Sequence, residues 1–318
     1  METKRKCISI MVPTYNEEEN VIPLCAAIVA ELEGSLPQYD YEIVFIDNCS
    51  TDTTREKLRA LCAENPRVRA IFNARNFGQF NSPYHGICQT KGDCTIPVCA
   101  DFQDPIEMIP RLVAKWEEGY KIVCAIKTTS KENKLVRFLR TCYYKMIRKM
   151  STVEQIEHFT GFGLYDRSFV EVLRGLDDPS PFIRGIIAEI GFGRVEIPYE
   201  QAKRRAGKTH NNYKTLYDAA MLSFTTYTKT PIRFFTGLGC FLGGASFLGG
   251  AAMLVLKLLG IFEPGFWWLV PIMTLLASLQ LVAVGILGEY VLTLRSKLMK
   301  RPLVIEQERI NFEEKDGE

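Results

Sequence analysis

The sequence predicts an α/β fold with a mostly parallel sheet, followed by a C-terminal two-helix transmembrane hairpin. Three observations carry this. Short apolar runs alternate with helix-patterned segments in the first half, polar residues gather where each run ends, and two long uncharged stretches follow toward the C-terminus. Residues 6–13 form a short apolar run ending in a turn, and residues 19–32 then carry helical spacing. Residues 41–46 form the next run, closed by Asp47-Asn48-Cys49-Ser50-Thr51-Asp52. Residues 68–72 and 94–99 read as two further strands, each followed by polar or glycine-containing segments. Such alternation implies a doubly wound sheet, whose ligands sit at the C-terminal strand ends near a switch point.

The chain has 318 residues, 47% hydrophobic and 24% charged, values that exclude disordered, collagen-like and small disulfide-scaffold classes. A net charge of +2 from 39 basic and 37 acidic residues gives no reason to expect a nucleic-acid partner. Ten cysteines occur without paired spacing suited to zinc, so they read as reduced, mostly buried small hydrophobes. The charged N-terminal residues precede an apolar stretch, residues 8–12, too short for a secretory signal, which places the first domain in the cytosol.

Residues 234–256 hold 23 consecutive positions without a charge and residues 264–288 hold 25 more, each long enough for the roughly 20 residues that span a bilayer core. Lys229 and Arg233 before the first run, and Arg295, Lys297, Lys300 and Arg301 after the second, predict cytoplasmic ends. Trp267 and Trp268 suit an interfacial belt, and the Gly239/Gly243 and Ala245/Gly249 spacings allow close helix approach within the hairpin or in a homo-oligomer. The expected organisation is a cytosolic domain over residues 1–228, a hairpin over 229–299 with spans near 234–257 and 266–290, and a cytosolic tail over 300–318. Such a protein is expected in a bacterial inner membrane as a multi-pass protein.

Carboxylates stand at three strand ends: Glu17, then Asp47 and Asp52, then Asp101 and Asp104. Acids converging on one crevice repel unless a cation lies among them, and a hard divalent ion bridging a nucleotide diphosphate is the natural occupant. Singly, each Asp is better explained as a helix N-cap or turn residue, and only their joint placement at successive strand ends points to a site. There is no G-x-G-x-x-G after the first strand and no P-loop, so phosphates fall to acids with a metal or to basic side chains.

Val12-Pro13-Thr14-Tyr15-Asn16-Glu17, Asp47-Asn48-Cys49-Ser50-Thr51-Asp52-Thr53-Thr54, Arg75-Asn76-Phe77-Gly78-Gln79 and Asp101-Phe102-Gln103-Asp104-Pro105, in that order, resemble the motifs of family 2 glycosyltransferases. Within the family the chain is similar to the polyprenyl-phosphate sugar transferases, and the likeness runs over almost its whole length. The resemblance implies a GT-A nucleotide-sugar domain in which Pro13, Tyr15, Glu17, Asp47, Asp52 and Asp101 bind the nucleotide. Where the family reads Asp-x-Asp-x-Gln, this chain has Cys99-Ala100-Asp101-Phe102-Gln103, leaving Asp101 and Gln103 as ligands for Mg²⁺ or Mn²⁺. The implied catalytic candidates are Asp101, Asp104 and Asp166. Asp104 has a helix cap as its alternative, and so does Asp166.

Seven basic residues between Lys131 and Lys149 interleave with Leu135, Phe138, Leu139, Tyr143, Tyr144 and Ile147, the pattern of a helix over about 132–149 lying on a bilayer surface. By resemblance Arg137 and Arg140 meet the acceptor's phosphate, although relatives often carry Ser at the second position. Arg184 shapes the crevice near the sugar. The cluster around Gly207 resembles a family loop that closes over diphosphate and acceptor phosphate, implicating Arg205, Lys208 and Thr209. Lys203 and Arg204 have lipid-headgroup attraction as an equal alternative. Relatives place a basic catalytic Asp in Gly-Asp-Phe-Arg-Leu, and here Thr160-Gly161-Phe162-Gly163-Leu164 lacks both Asp and Arg.

The expected activity is inverting transfer of a hexose from a nucleotide-diphosphate sugar, with uridine favoured by resemblance, to polyprenyl (undecaprenyl) phosphate. Two alternatives stay open: transfer to a lipid-linked saccharide, and a nucleotide-binding scaffold that has lost turnover. A processive synthase is disfavoured, because no Q-x-x-R-W motif occurs.

Overall fold

The structure, a computed structural model, describes residues 5–129, 156, 158–176, 178, 181–202, 204–206, 237, 238, 241, 248, 255, 258, 259, 269–298 and 302–312. The chain runs β1 (Cys7–Thr14), α1 (Val21–Ser35), β2 (Asp40–Asp47), α2 (Thr54–Glu64), β3 (Val68–Asn73), α3 (Gly78–Gln89) and β4 (Cys94–Pro97). A 3₁₀ turn (Ile106–Met108) leads into α4 (Ile109–Glu117), then β5 (Ile122–Thr129), β6 (Phe159–Asp166), α5 (Arg167–Gly175), α6 (Ile183–Ile190) and β7 (Arg194–Glu200). α7 (Leu269–Leu298) and β8 (Glu306–Ile310) complete it.

Among the described residues, one eight-stranded sheet holds the strands in the order β7-β5-β6-β4-β1-β2-β3-β8. Only β6 and β8 run against the rest: β6 is antiparallel to β4 and β5, and β8 to β3. The expected mostly parallel sheet is therefore present. Its central strands β1 and β2 are apolar on both faces because both faces are covered. Ile8, Ile10 and Val12 of β1 join Ile43 and Phe45 of β2 in the cluster with Leu24 and Ile28 of α1 and Leu112 of α4. Met11, Val44 and Ile46, on the alternate positions, join Tyr84 and Ile87 of α3 and Phe169 of α5. The period of two in the side chains thus feeds two cores from each strand. Chain order reverses between β1 and β4, so the crevice expected of an open α/β sheet lies above their C-terminal ends.

Two expectations are corrected at the C-terminus. Among the described residues no helix is long and apolar enough to cross a membrane, so the transmembrane hairpin is not supported, and the multi-pass inner-membrane assignment falls with it. The expectation rested on uncharged runs read from the sequence alone. α7 carries Glu289, Arg295 and Lys297 within its bounds. Most of the first uncharged stretch, including its small-residue spacings, lies outside the described residues, as does the basic segment over 132–149. Within the segment read as a tail, Glu306–Ile310 form a strand. β8 pairs with β3 and closes that edge of the sheet, where Asn311 donates to the carbonyls of Cys62 and Val68 at 2.7 and 2.8 Å.

Candidate active site

The loops after β1, β2 and β4 form the crevice, and each holds a non-glycine residue in the left-handed region: Asn16 (φ 56°), Cys49 (φ 67°) and Phe102 (φ 60°). Such backbone costs of order 1–3 kcal/mol per residue and persists only where surrounding bonds over-determine it. Those bonds are visible for Asn16. Its amide donates to Ser50 Oγ at 2.9 Å, and its Oδ1 accepts from the Thr51 amide at 2.8 Å, locking the first two loops together.

Pro13, Tyr15 and Glu17 stand half-buried along the first loop, where the resemblance puts the nucleoside. The Glu17 amide donates to Thr54 Oγ1 at 2.9 Å and its carboxylate accepts from Asn20 at 2.7 Å. Asp52 accepts from the amides of Thr54 (3.0 Å) and Glu18 (3.3 Å), so it ties the start of α2 to the first loop. Asp47 is wholly buried: Arg55 Nε lies 2.6 Å from Oδ2, and the Ser50 amide donates to the same carboxylate at 3.1 Å. Its carboxylate shapes the loop from below. The third motif docks on the second, with Asn48 Nδ2 donating to Asn76 Oδ1 at 2.9 Å and the Phe77 amide donating to Asn48 Oδ1 at 2.9 Å.

The fourth loop carries the two buried acids. Asp101 Oδ1 accepts from the Gln103 amide at 3.1 Å, and its Oδ2 lies 2.8 Å from Arg204 Nη2. Asp104 Oδ2 accepts from the Cys99 amide at 3.0 Å, and the Tyr199 hydroxyl donates to Oδ1 at 3.5 Å. Thr160 Oγ1 is 3.4 Å from that same hydroxyl, which brings the start of β6 to the crevice wall. Burial pushes Asp104 up to about 6, against the hydrogen bonds from Cys99 and with the Asp101 charge adding to the rise. A carboxyl poised there can hold or release a proton near neutral pH. A cleft of about 450 Å³ opens beside Tyr199, lined by Pro105, Met108, Arg111, Thr128 and Glu200, but Asp101 is not among its walls.

Residues 201, 202 and 204–206 strap this loop down. The Ala202 amide donates to the Gln103 carbonyl and the Arg205 amide to the Asp101 carbonyl, both at 3.2 Å, while the Arg205 guanidinium sits 5.2 Å over the Phe102 ring. Arg184 donates to the Phe159 carbonyl at 3.3 Å beside the Phe182 ring. Arg137, Arg140, Lys208 and Thr209 lie outside the described residues.

Asp166 is displaced from the expected site. β6 runs opposite to β4, so its last residue, Asp166, pairs with Cys94 at the end of the sheet away from the crevice. There it caps α5 through the Ser168 amide at 3.0 Å and accepts from Trp116 at 2.7 Å and Lys121 at 3.1 Å. Its carboxylate is committed to holding that end together, which removes it from the catalytic set.

The expected Mg²⁺ or Mn²⁺ does not fit the residues as they stand. Both Asp101 oxygens are engaged, one by a guanidinium, and among the described residues no group of three or more His, Cys, Asp or Glu could hold an ion. Arg55 and Tyr199 were invisible to motif reasoning. A lone Arg on a helix and a lone Tyr on a strand carry no signal until the fold sets them beside Asp47 and Asp104.

Comparison with known proteins agrees with this geometry. Residues 9–174 match the model of glycosyl transferase family 2, spanning β1 through most of α5. A bactoprenol glucosyl transferase of Shigella phage SfX is 34% identical over 298 residues, covering 93% of this chain and 97% of that protein. A prophage bactoprenol glucosyl transferase homolog of Escherichia coli K12 is 33% identical over 300 residues, covering 94% and 97%. Among solved structures, glucosyl-3-phosphoglycerate synthase of Mycobacterium tuberculosis, determined with Mg²⁺ and uridine diphosphate, is similar with a TM-score of 0.47, 17% identity and coverage of 70% and 78%. With its four ordered motifs gathered on one crevice and its relatives matched nearly end to end, the chain belongs to family 2 of the glycosyltransferases.

Proposed function

We propose that this glycosyltransferase moves a glucosyl group from a nucleoside-diphosphate sugar, with uridine as the base, to polyprenyl phosphate. The observation that carries the reading is the match, over 93% of the chain, to a relative named for bactoprenol glucosyl transfer. An oxygen of the acceptor phosphate attacks the anomeric carbon. The bond from that carbon to the donor's diphosphate oxygen breaks, its electron pair leaves with the nucleoside diphosphate, and the configuration inverts. An ionised phosphate has no proton to give up, so the step asks for alignment and charge stabilisation, and the missing Asp at Gly161 is no obstacle.

In this reading Pro13, Tyr15, Glu17 and Asp52 wall the nucleoside, and Asp47 acts beneath them through Arg55. Arg205, Lys208 and Thr209 serve the diphosphate, and Arg137, Arg140 and Arg184 serve the acceptor phosphate. Arginine forks suit phosphate oxygens better than point charges do. Asp104 keeps its proton at acidic pH and, with Tyr199 and Thr160, lines the wall beside Asp101. The test is the full-length chain in detergent with undecaprenyl phosphate, Mg²⁺ or Mn²⁺ and a panel of radiolabelled nucleotide sugars. Acid-labile label in the organic phase from a single donor is expected. Nucleotide binding without lipid label from any donor would overturn the reading in favour of a saccharide acceptor or a non-catalytic scaffold.

A further inference from the structure

A regularly paired strand alternates its side chains between the two faces of the sheet, so Glu306 and Glu308 of β8 should share one face. They do not. Glu306 meets His85 of α3, while Glu308 meets Arg59 of α2, whose Nη2 lies 2.7 Å from Oε2. Those helices cover opposite faces, since Leu58 and Cys62 of α2 belong to one core and Tyr84 and Ile87 of α3 to the other. The pairing accounts for the switch. Phe72 of β3 stands opposite Glu308, but its neighbour Asn73 stands opposite Glu306, which leaves Gln307 as the extra residue of a β-bulge. A bulge re-aims a side chain, and this one brings Gln307 to Arg55: its Oε1 accepts from Nη1 at 3.1 Å.

That bond completes a fork. Arg55 gives Nε to Asp47 and Nη2 to the Asn73 carbonyl, each at 2.6 Å. A planar guanidinium held along one edge can still tilt about that edge, and a third bond on the remaining nitrogen sets its plane. Two positions before Gln307, the Ile305 carbonyl accepts from the Ala74 amide at 3.0 Å, directly ahead of the third motif. The bulged strand thus grips the second motif through α2 and the third through the end of β3. We infer that Gln307 is a positioning residue for the donor: through Arg55 it holds Asp47 and the second-motif loop in the arrangement that receives the nucleoside. The C-terminal strand therefore sets nucleotide affinity from the sheet edge. This rests on the nucleoside wall proposed above.

The test compares the full-length chain with Gln307→Met, which keeps the length of the side chain and loses the acceptor, and Gln307→Glu, which keeps an acceptor. UDP binding is read by equilibrium dialysis, and donor KM and kcat by label transfer from UDP-glucose to undecaprenyl phosphate, alongside urea melts. Gln307→Met should weaken UDP binding and raise donor KM about fivefold, with kcat and the melts unchanged. Gln307→Glu should stay within about twofold of the parent. A Met variant with parent-like UDP binding and KM, or a Glu variant that falls as far as the Met variant, refutes the positioning role while the transferase reading stands. A loss confined to the melts refutes it equally, since Gln307 then serves only the sheet edge. If the parent binds UDP but labels no lipid, the transferase reading fails and the UDP comparison alone decides the role of Gln307. If the parent binds no UDP, the donor site fails and the inference fails with it.

Discussion

Replacing Arg55 with Ala isolates the fastening beneath the nucleotide loops. Arg55 Nε bonds Asp47 at 2.6 Å, Nη2 bonds the Asn73 carbonyl at 2.6 Å, Nη1 bonds Gln307 at 3.1 Å, and the guanidinium lies 5.5 Å over the Phe72 ring. Removing one partner of a buried ion pair costs about 3–5 kcal/mol, because the other charge is left without compensation. Here Asp47 is wholly buried but keeps the Ser50 amide, and Arg55 is itself 18% exposed, so the lower end applies, about 3 kcal/mol. For a domain of this size that corresponds to a fall in Tm of roughly 6–12 °C. Urea denaturation followed by circular dichroism measures it, with m-values checked for constancy between variants. Asp47→Asn combined with Arg55→Met should cost less than Arg55→Ala alone, since no charge is stranded. A loss under about 1 kcal/mol for Arg55→Ala, or a double variant worse than the sum of its singles, would refute the view that Asp47 is anchored by Arg55.

Three further outcomes follow from the same structure. Asp104, raised to about 6 by burial, binds its proton more tightly folded than unfolded, so its contribution to stability is full below about pH 4 and is lost as pH rises through about 6, a change on the order of 3 kcal/mol; pH-resolved urea melts should show that slope in the parent and not in Asp104→Asn. Glu306 behaves oppositely: burial disfavours its charge, but hydrogen bonds from His85 and Arg309 outweigh this and hold it down at about 2. Its stabilisation is present above about pH 4.5 and drains away toward pH 2, so Glu306→Gln should flatten the acid limb of the stability profile, and an unchanged limb would show that β8 is not held there by charge. A Cβ on Gly163 would stand inside contact distance of the Val123 carbonyl oxygen, a backbone atom that cannot swing aside, so Gly163→Ala should cost about 2–3 kcal/mol by the same melts. Neutrality at that position would mean that β5 and β6 pair more loosely than described.

How much was legible beforehand varies with distance along the chain. The four crevice motifs could be read from the sequence because polar residues following apolar strands have one place to go in a parallel sheet, its C-terminal edge. The uncharged C-terminal runs were also plain, but among the described residues no helix is long and apolar enough to cross a membrane. Asp166 shows a different limit. Two residues beyond Leu164, it could stand in for the Asp missing from the Thr160–Leu164 segment, yet β6 runs antiparallel to β4, and a reversed strand delivers its last residue to the opposite end of the sheet.

By itself, the sequence determined the α/β class, the order of the motifs and the family, since each depends on local pattern: two-residue alternation, helical spacing and turn chemistry within a few positions. The tertiary structure decided which charge meets which. Arg204 lies over Asp101, Arg55 under Asp47, and Glu306 of β8 beside His85 across 221 residues of chain. Charge pairing depends on separations of a few ångströms in space, and a linear sequence carries no record of those until strand direction and sheet order bring distant segments together.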